Sequence, residues 1–252
     1  MIDYVYGLNK SGIGILKLLK KQEQQFDCWD DNIKIRNKVK KIFPKQKFKK
    51  INNIDLNKYN NIYVTPGISI FDKRFKKISK SKIKRDLNLY YKNIINEKIV
   101  AITGTNGKST TTKLIGEILI KNNKNTFIGG NIGDSLCNSL INKKKYYYHV
   151  IELSSFQLET IKNFEPNISI LLNLSEDHLD RYNDIEEYIK AKKNIFNLSK
   201  NKINIISIDD LYSKKIFNSK KIKNKISFST YNKKADIYFS DGFIVDNFFY
   251  KF

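Results

Sequence analysis

The chain has 252 residues, enough for one large domain or two modest ones, and a 40% hydrophobic content with 16 Phe and 15 Tyr supplies material for packed cores. Its 47 Lys and Arg against 25 Asp and Glu give a net charge of +22, a balance met in nucleic-acid binders. The excess is nearly all Lys, scattered beside abundant Asn and Ile, residues that share A/T-rich codons, and no Arg-rich helix or RNA-binding aromatic signature concentrates it, so nucleic acid is not expected as a partner.

Cys28 and Cys137 lack the spacing of a disulfide framework, and no Cys/His cluster has zinc-ligand spacing. The first twenty residues carry Asp3, Lys10, Lys17 and Lys20 where a signal peptide needs an unbroken apolar run. Apolar runs such as 168–172 are far shorter than the roughly 20 residues that cross a bilayer. A reducing, cytoplasmic setting without membrane insertion is the expectation.

In chain order, 2–7 reads as a short strand ending in glycine, 13–19 as a helix, 26–29 as a second strand ending at Asp30 and Asp31, and 61–65 as a strand closed by the turn Pro66-Gly67. These alternations predict a small α/β domain over 1–92. A polar stretch, 91–97, precedes a second domain over 93–252. That domain reads as strand 98–103, helix 110–122 with an apolar face of Leu114, Ile115, Ile118 and Leu119, strands 126–128 and 146–151, helix 155–163, strand 168–174, helix 184–198 and strand 203–208. Strands interleaved with helices predict a mostly parallel sheet covered on both faces. The Lys/Asn-rich stretches 142–145 and 218–225 read as solvated loops.

The run Gly104-Thr105-Asn106-Gly107-Lys108-Ser109-Thr110 lies between the strand 98–103 and the following helix. In that context backbone N–H groups of the loop and the helix N-terminus cradle phosphate, Lys108 reaches the β- and γ-phosphates and the Ser109 hydroxyl holds Mg²⁺. The general pattern has a further glycine five positions before Gly107, where this chain has Ile102, so the loop is a shortened form. Glu152 follows strand 146–151, and Asp177-His178 follow strand 168–174. With the loop, they fall at the carboxyl ends of parallel strands, the ligand edge of an open α/β sheet. Glu152 reads as a capping or solvent-facing acid or, near a triphosphate, as a Mg²⁺ ligand. For His178, metal or phosphate contact stands beside helix capping in its loop, and His149 reads as a packed or exposed strand residue.

The run Ala101 to Thr110 resembles the shortened ATP loop of the Mur ligase family. Gly129-Gly130-Asn131-Ile132-Gly133, Glu152-Leu153-Ser154-Ser155-Phe156-Gln157-Leu158-Glu159 and the segment Asn173 to Arg181 are similar to its D-glutamate-adding branch. Thr65-Pro66-Gly67-Ile68 and Gly7-Leu8-Asn9-Lys10-Ser11-Gly12 resemble that branch's UDP-binding domain. In the latter run Asn9 replaces the middle glycine of a dinucleotide fingerprint, which removes the NAD reading.

The resemblance implies a Rossmann-like first domain and a P-loop-type, incomplete central domain acting as an ATP-dependent carboxylate–amine ligase. Its substrates would be ATP, UDP-N-acetylmuramoyl-L-alanine and D-glutamate, joined through an acyl phosphate in peptidoglycan synthesis by a cytoplasmic monomer. It implies that Gly104 to Thr110 bind ATP, that Lys10, Ser11 and Gly12 face the UDP diphosphate with Asp31 and Asn32 on the uracil side, and that Asn131, Ser154 and His178 bind the muramoyl substrate. Ser109 and Glu152 would share a first Mg²⁺, and His178 would serve a second together with Lys192 carried as a carbamate, with Lys193 as the competing register. Lys108, His178 and Lys192 are the implied catalytic residues. The family has three domains, and this sequence stops at Phe252 in an apparent strand, 247–252. The expectation is therefore that the amino-acid-binding domain lies outside the chain, which alone would not form the amide bond. A silent nucleotide-binding remnant and a related Mur or folylpolyglutamate-type ligase are the alternatives.

Overall fold

The computed structural model of the chain describes residues 2–142, 144–196 and 202–248. In order, the elements are β1 (Asp3–Tyr6), α1 (Lys10–Lys21), β2 (Phe26–Trp29), α2 (Ile33–Ile42), β3 (Ile62–Val64), β4 (Ile83–Lys84), α3 (Asp86–Lys92), β5 (Lys98–Thr103), α4 (Lys108–Lys121), β6 (Thr126–Gly130) and α5 (Leu136–Ser139). There follow β7 (Tyr148–Glu152), α6 (Ser155–Leu158), β8 (Ile168–Leu171), α7 (Ile185–Lys193), β9 (Ile203–Ser207), α8 (Leu211–Phe217), β10 (Lys225–Ser229), β11 (Ile237–Ser240) and β12 (Phe243–Asp246). They form two compact units, Met1–Ile95 with Gly133–Lys145, and Asn96–Ile132 with Tyr146–Phe252.

The first unit carries a parallel four-stranded sheet in the order β2-β1-β3-β4. Tyr4, Tyr6, Ile62, Val64 and Phe75 build a core against one face. Helix α1 buries Ile15, Leu16, Leu18 and Leu19. It begins close against the end of β1, where a Cβ on Gly12 would lie 2.0 Å from the Gly7 carbonyl oxygen, so a larger residue there would push the helix away. The single-turn helix α5 packs on α1 and α3, burying Leu136 and Cys137. Those apolar contacts draw 133–145 into this unit, whereas the sequence reading left that stretch in the second domain.

The second unit has an eight-stranded sheet, β12-β11-β10-β9-β8-β5-β7-β6, parallel throughout except for the β11–β12 hairpin. The unbroken apolar run Ile99-Val100-Ala101-Ile102 suits the central position of β5, which is covered on both faces. The chain leaves β5 for β6, returns through β7, and then crosses to β8 on the other side, which opens a crevice at the carboxyl end of β5.

Several elements depart from their expected form. Of the expected apolar face of α4, Ile115 and Leu119 pack against the sheet core, whereas Leu114 and Ile118 are 57% and 51% exposed, and Thr112 and Gly116 are buried where the helix lies close over Ile128 of β6. Helix α6 is one turn long rather than spanning 155–163. The chain turns at Asn163 (φ 54°), and Ile161 and Phe164 are buried. Helix α8 and strands β10 to β12 lay outside the expected elements. Residues 197 and 198 of the expected helix 184–198, and 249–252 of the expected terminal strand, lie outside the described residues. Among the described residues no helix is long and apolar enough to cross a membrane.

Candidate functional site

In the second unit the chain passes from β5 into a loop, 104–107, and then into α4, whose N-cap is Gly107 with φ 80°, a left-handed conformation that favours glycine. The first N–H groups of a helix have no partner within it and carry the positive end of its dipole, so the turn presents donors to an anion. Lys108 folds back and donates to the Thr105 carbonyl at 2.7 Å.

Glu152 is the last residue of β7, one position earlier relative to the strand end than expected, and is 1% exposed. Both its carboxylate oxygens are engaged: Oε2 accepts from the Ser109 hydroxyl and Oε1 from the Asn131 side chain, each at 2.7 Å. Asn131 also donates its backbone N–H to the Glu152 carbonyl at 3.0 Å. The phosphate loop, Glu152 and Asn131 thus come together from β5, β7 and β6. The Ser109 hydroxyl beside the buried Glu152 carboxylate is a hard-oxygen donor set. That combination fits Mg²⁺, which typically takes one or two carboxylates and fills its sphere with phosphate oxygens and water.

On the other side, α7 starts at Asp184, which accepts from the Glu187 N–H at 2.8 Å. The helix then turns Tyr188 and Lys192, four residues apart, onto one buried face. Lys192 is 2% exposed and donates to the Gly104 carbonyl at 2.7 Å, with its ammonium 4.8 Å from the Tyr188 ring centroid. Burial, and after it the charge of Lys108, pushes the Lys192 pKa down to about 7. Burial likewise raises the Tyr188 phenol to about 12, and its hydroxyl lies 3.0 Å from the Thr105 hydroxyl. Lys193 is exposed.

His178 has φ 55°, an uncommon conformation for a non-glycine residue. Its ring lies between Phe156 and Tyr188, at centroid distances of 4.8 and 6.1 Å, and its Nε2 is 3.5 Å from Asp177. The Arg181 guanidinium covers the Phe156 ring at 3.9 Å. Ser154 is the N-cap of α6 in a reciprocal capping box with Gln157. Thr110 lies within α4, exposed to solvent. His149 is packed between Phe127 and Tyr146, and burial lowers its pKa to about 4.

Two contributors carried no role in the sequence reading. Asn173 accepts the N–H groups of Thr105 and Asn106 on its side-chain oxygen, at 3.1 and 2.8 Å, and donates to the Asn106 carbonyl at 3.1 Å. Tyr188 is the other, since it touches the loop, Lys192 and His178 together. The sequence reading had Asn173 only as the start of the motif segment Asn173 to Arg181, and a pattern along the chain does not show which distant loop a side chain meets.

In the first unit, Lys10, Ser11 and Gly12 open α1, with Lys10 exposed and Gly12 buried. Asp30 closes the facing loop by accepting from the Leu8 and Asn32 N–H groups, at 2.7 and 2.9 Å. Asn32 caps α2. Asp31 accepts from Tyr6, from the Trp29 indole at 2.9 Å and from Arg74 at 3.1 Å. Burial would raise its pKa, but these donors hold it below the usual carboxylate range.

A family model described as the Mur ligase middle domain matches residues 102–250. A UDP-N-acetylmuramoylalanine--D-glutamate ligase of Rickettsia bellii (strain RML369-C) is 35% identical over 253 residues, covering 97% of this chain and 55% of that protein. A ligase of the same name from Clostridioides difficile (strain 630) is 38% identical over 202 residues, covering 75% of this chain and 44% of its own length. The chain spans about half the length of these curated relatives. The crystal structure of UDP-N-acetylmuramate:L-alanyl-gamma-D-glutamyl-meso-diaminopimelate ligase from Neisseria meningitides superposes with a TM-score of 0.61 over 98% of this chain and 84% of that one, at 11% identity, which shows a shared fold. Sequence match, relatives and fold agree, and the chain belongs to the Mur ligase family.

Proposed function

We propose that the protein to which this chain belongs is a cytoplasmic ligase that adds D-glutamate to UDP-N-acetylmuramoyl-L-alanine with ATP. The observation that carries this reading is the meeting of Ser109, Glu152 and Asn131 beside the phosphate loop, at the ends of adjacent parallel strands. The wording of those motifs and the names of the relatives above support the choice of D-glutamate.

A carboxylate is a poor acyl donor at neutral pH, and phosphorylation by ATP turns it into an acyl phosphate that the D-glutamate amine attacks, with release of phosphate and formation of the amide. In this reading Gly104 to Thr110 bind the ATP phosphates through backbone N–H groups, and Lys108 leaves the Thr105 carbonyl to pair with them. Ser109 and Glu152 would hold Mg²⁺, which supplies charge neutralisation between the phosphates. Asn131, held by Glu152, and His178 would orient the muramoyl substrate, and His178 with a carbamylated Lys192 would offer ligands to a second ion. Ser154 is read mainly as the cap that sets the direction of α6. Lys10, Ser11 and Gly12 would face the UDP diphosphate, and Asp31 and Asn32 the uracil side.

Isothermal titration with Mg-ATP tests the phosphate-loop assignment. Hydrogen bonds to charged groups are worth about 1.5–3 kcal/mol, so Lys108→Ala is expected to weaken binding roughly 10- to 150-fold. Equal affinity of the two proteins would remove the assignment.

A further inference from the structure

We propose that Asn173 is a positioning residue, whose side-chain amide braces the phosphate loop in the shape that accepts nucleotide. This deepens the nucleotide reading of the loop and rests on it. The loop joins β5 to α4 with glycines at 104 and 107, and an unbraced glycine-containing loop has many conformations to lose when a ligand orders it.

Strand β8 runs beside β5 as far as the Thr103–Leu171 pair, and the Leu172 N–H still reaches the Thr103 carbonyl at 3.0 Å. Beyond that point the side chain of Asn173 continues the pairing. Its oxygen accepts from the Thr105 and Asn106 N–H groups at 3.1 and 2.8 Å, and its nitrogen donates to the Asn106 carbonyl at 3.1 Å. A carboxamide has the acceptor and the donor of a peptide group in one plane, so it serves here as a further residue of the ladder. The Asn173 main-chain oxygen accepts from Thr105 as well, at 3.0 Å. The brace is itself anchored: the Leu174 N–H donates to Asp210 at 3.0 Å, and Asp210 caps α8 by accepting from the Ser213 N–H at 2.7 Å. The loop is thereby tied to β8 and, through Leu174 and Asp210, to the start of α8.

The two loop amides differ in a way that identifies the brace. Thr105 has both the main-chain and the side-chain oxygen of Asn173, whereas the bond shown for Asn106 N–H is to the side chain alone. Removing the side chain should therefore expose Asn106 more than Thr105.

The test uses the full chain labelled with ¹⁵N and ¹³C. Wild type is expected to show a scalar coupling across the hydrogen bond from the Asn106 amide nitrogen to the Asn173 side-chain carbonyl carbon. In Asn173→Ala, amide exchange at Asn106 should accelerate about three- to tenfold, the range that a hydrogen bond of typical net strength sets, and more than at Thr105. Mg-ATP affinity should fall by a similar factor. Asn173→Asp keeps the acceptor and should keep Asn106 protected, which gives a second readout should the alanine variant not fold. Absence of the coupling, or wild-type Mg-ATP affinity in Asn173→Ala, would overturn the proposal. If wild type binds no Mg-ATP, the nucleotide reading falls, and the coupling and exchange rates still decide whether the brace exists.

Discussion

Lys192 sits in surroundings that a lysine rarely has. An ammonium with 2% exposure has lost its hydration, and the Gly104 carbonyl and the Tyr188 ring replace it only in part. With the pKa brought down from 10.5 to about 7, a large share of the side chain is a free amine at neutral pH, the form that captures CO₂. Exposed Lys193 lacks that environment. In ¹³C-labelled bicarbonate, wild type and Lys193→Met are therefore expected to show a carbamate resonance that Lys192→Met lacks. A carbamate signal that survives in Lys192→Met would remove Lys192 from the proposed metal ligands. From the sequence the family resemblance singled out Lys192, with Lys193 as the competing register, but residue type alone did not separate it from the other lysines. Tyr188 is its neighbour one turn away on α7, whereas the Gly104 carbonyl at the end of β5 is brought to it by tertiary packing.

At the scale of elements, α4 shows how packing overrides a helical pattern. Of the expected face, Ile115 and Leu119 pack on the sheet core, yet Leu114 and Ile118 face solvent and the helix turns Thr112 and Gly116 inward. A Cβ at Gly116 would lie 2.3 and 2.4 Å from Cδ1 and Cγ1 of Ile128, so the absence of a side chain sets how closely α4 approaches β6. Two effects then compete in Gly116→Ala. Helix propensity favours alanine by about 1 kcal/mol, whereas overpacking typically destabilises by about 1–3 kcal/mol. The clash involves two atoms of one side chain against a helix on a covered sheet, so the second effect should win and denaturant unfolding should show a net loss of about 1 kcal/mol. Adding Ile128→Ala should reverse the sign of the Gly116→Ala effect, because the overlap is gone and the propensity remains. Stabilisation by Gly116→Ala in the parent chain would show that α4 has room the structure does not give it.

Across the whole molecule the dominant electrostatic fact is a net charge of +22. Like charges spread over a surface repel, which destabilises the compact state and is screened by salt within about 10 Å at 0.1 M. The thermal midpoint should accordingly rise when NaCl is increased from about 0.05 to 0.5 M. RNA bound through scattered lysines should dissociate over the same range, as counterion release requires. Filter binding at physiological salt checks the second outcome: tight RNA binding displaced by Mg-ATP would place nucleic acid at the loop and overturn the reading of the charge as compositional.

Local pattern determined the strand–loop–helix character of the chain, the parallel sheets, the glycine-containing loop ahead of α4 and the resemblance that led to the family, because these depend on near neighbours and on residue types at short spacing. The conformation of Gly107 and the placement of Lys108 and Ser109 at the start of α4 follow from the same short stretch. What tertiary structure decided involves residues far apart in sequence. The order β8-β5-β7-β6 sets Glu152 against Ser109 and Asn131. It also lets Asn173 reach a loop 67 residues away, and the packing of α7 brings Lys192 to a carbonyl 88 residues away. Segment 133–145 joined the first unit for the same reason: its apolar turn is buried by α1 and α3, partners that no local pattern names.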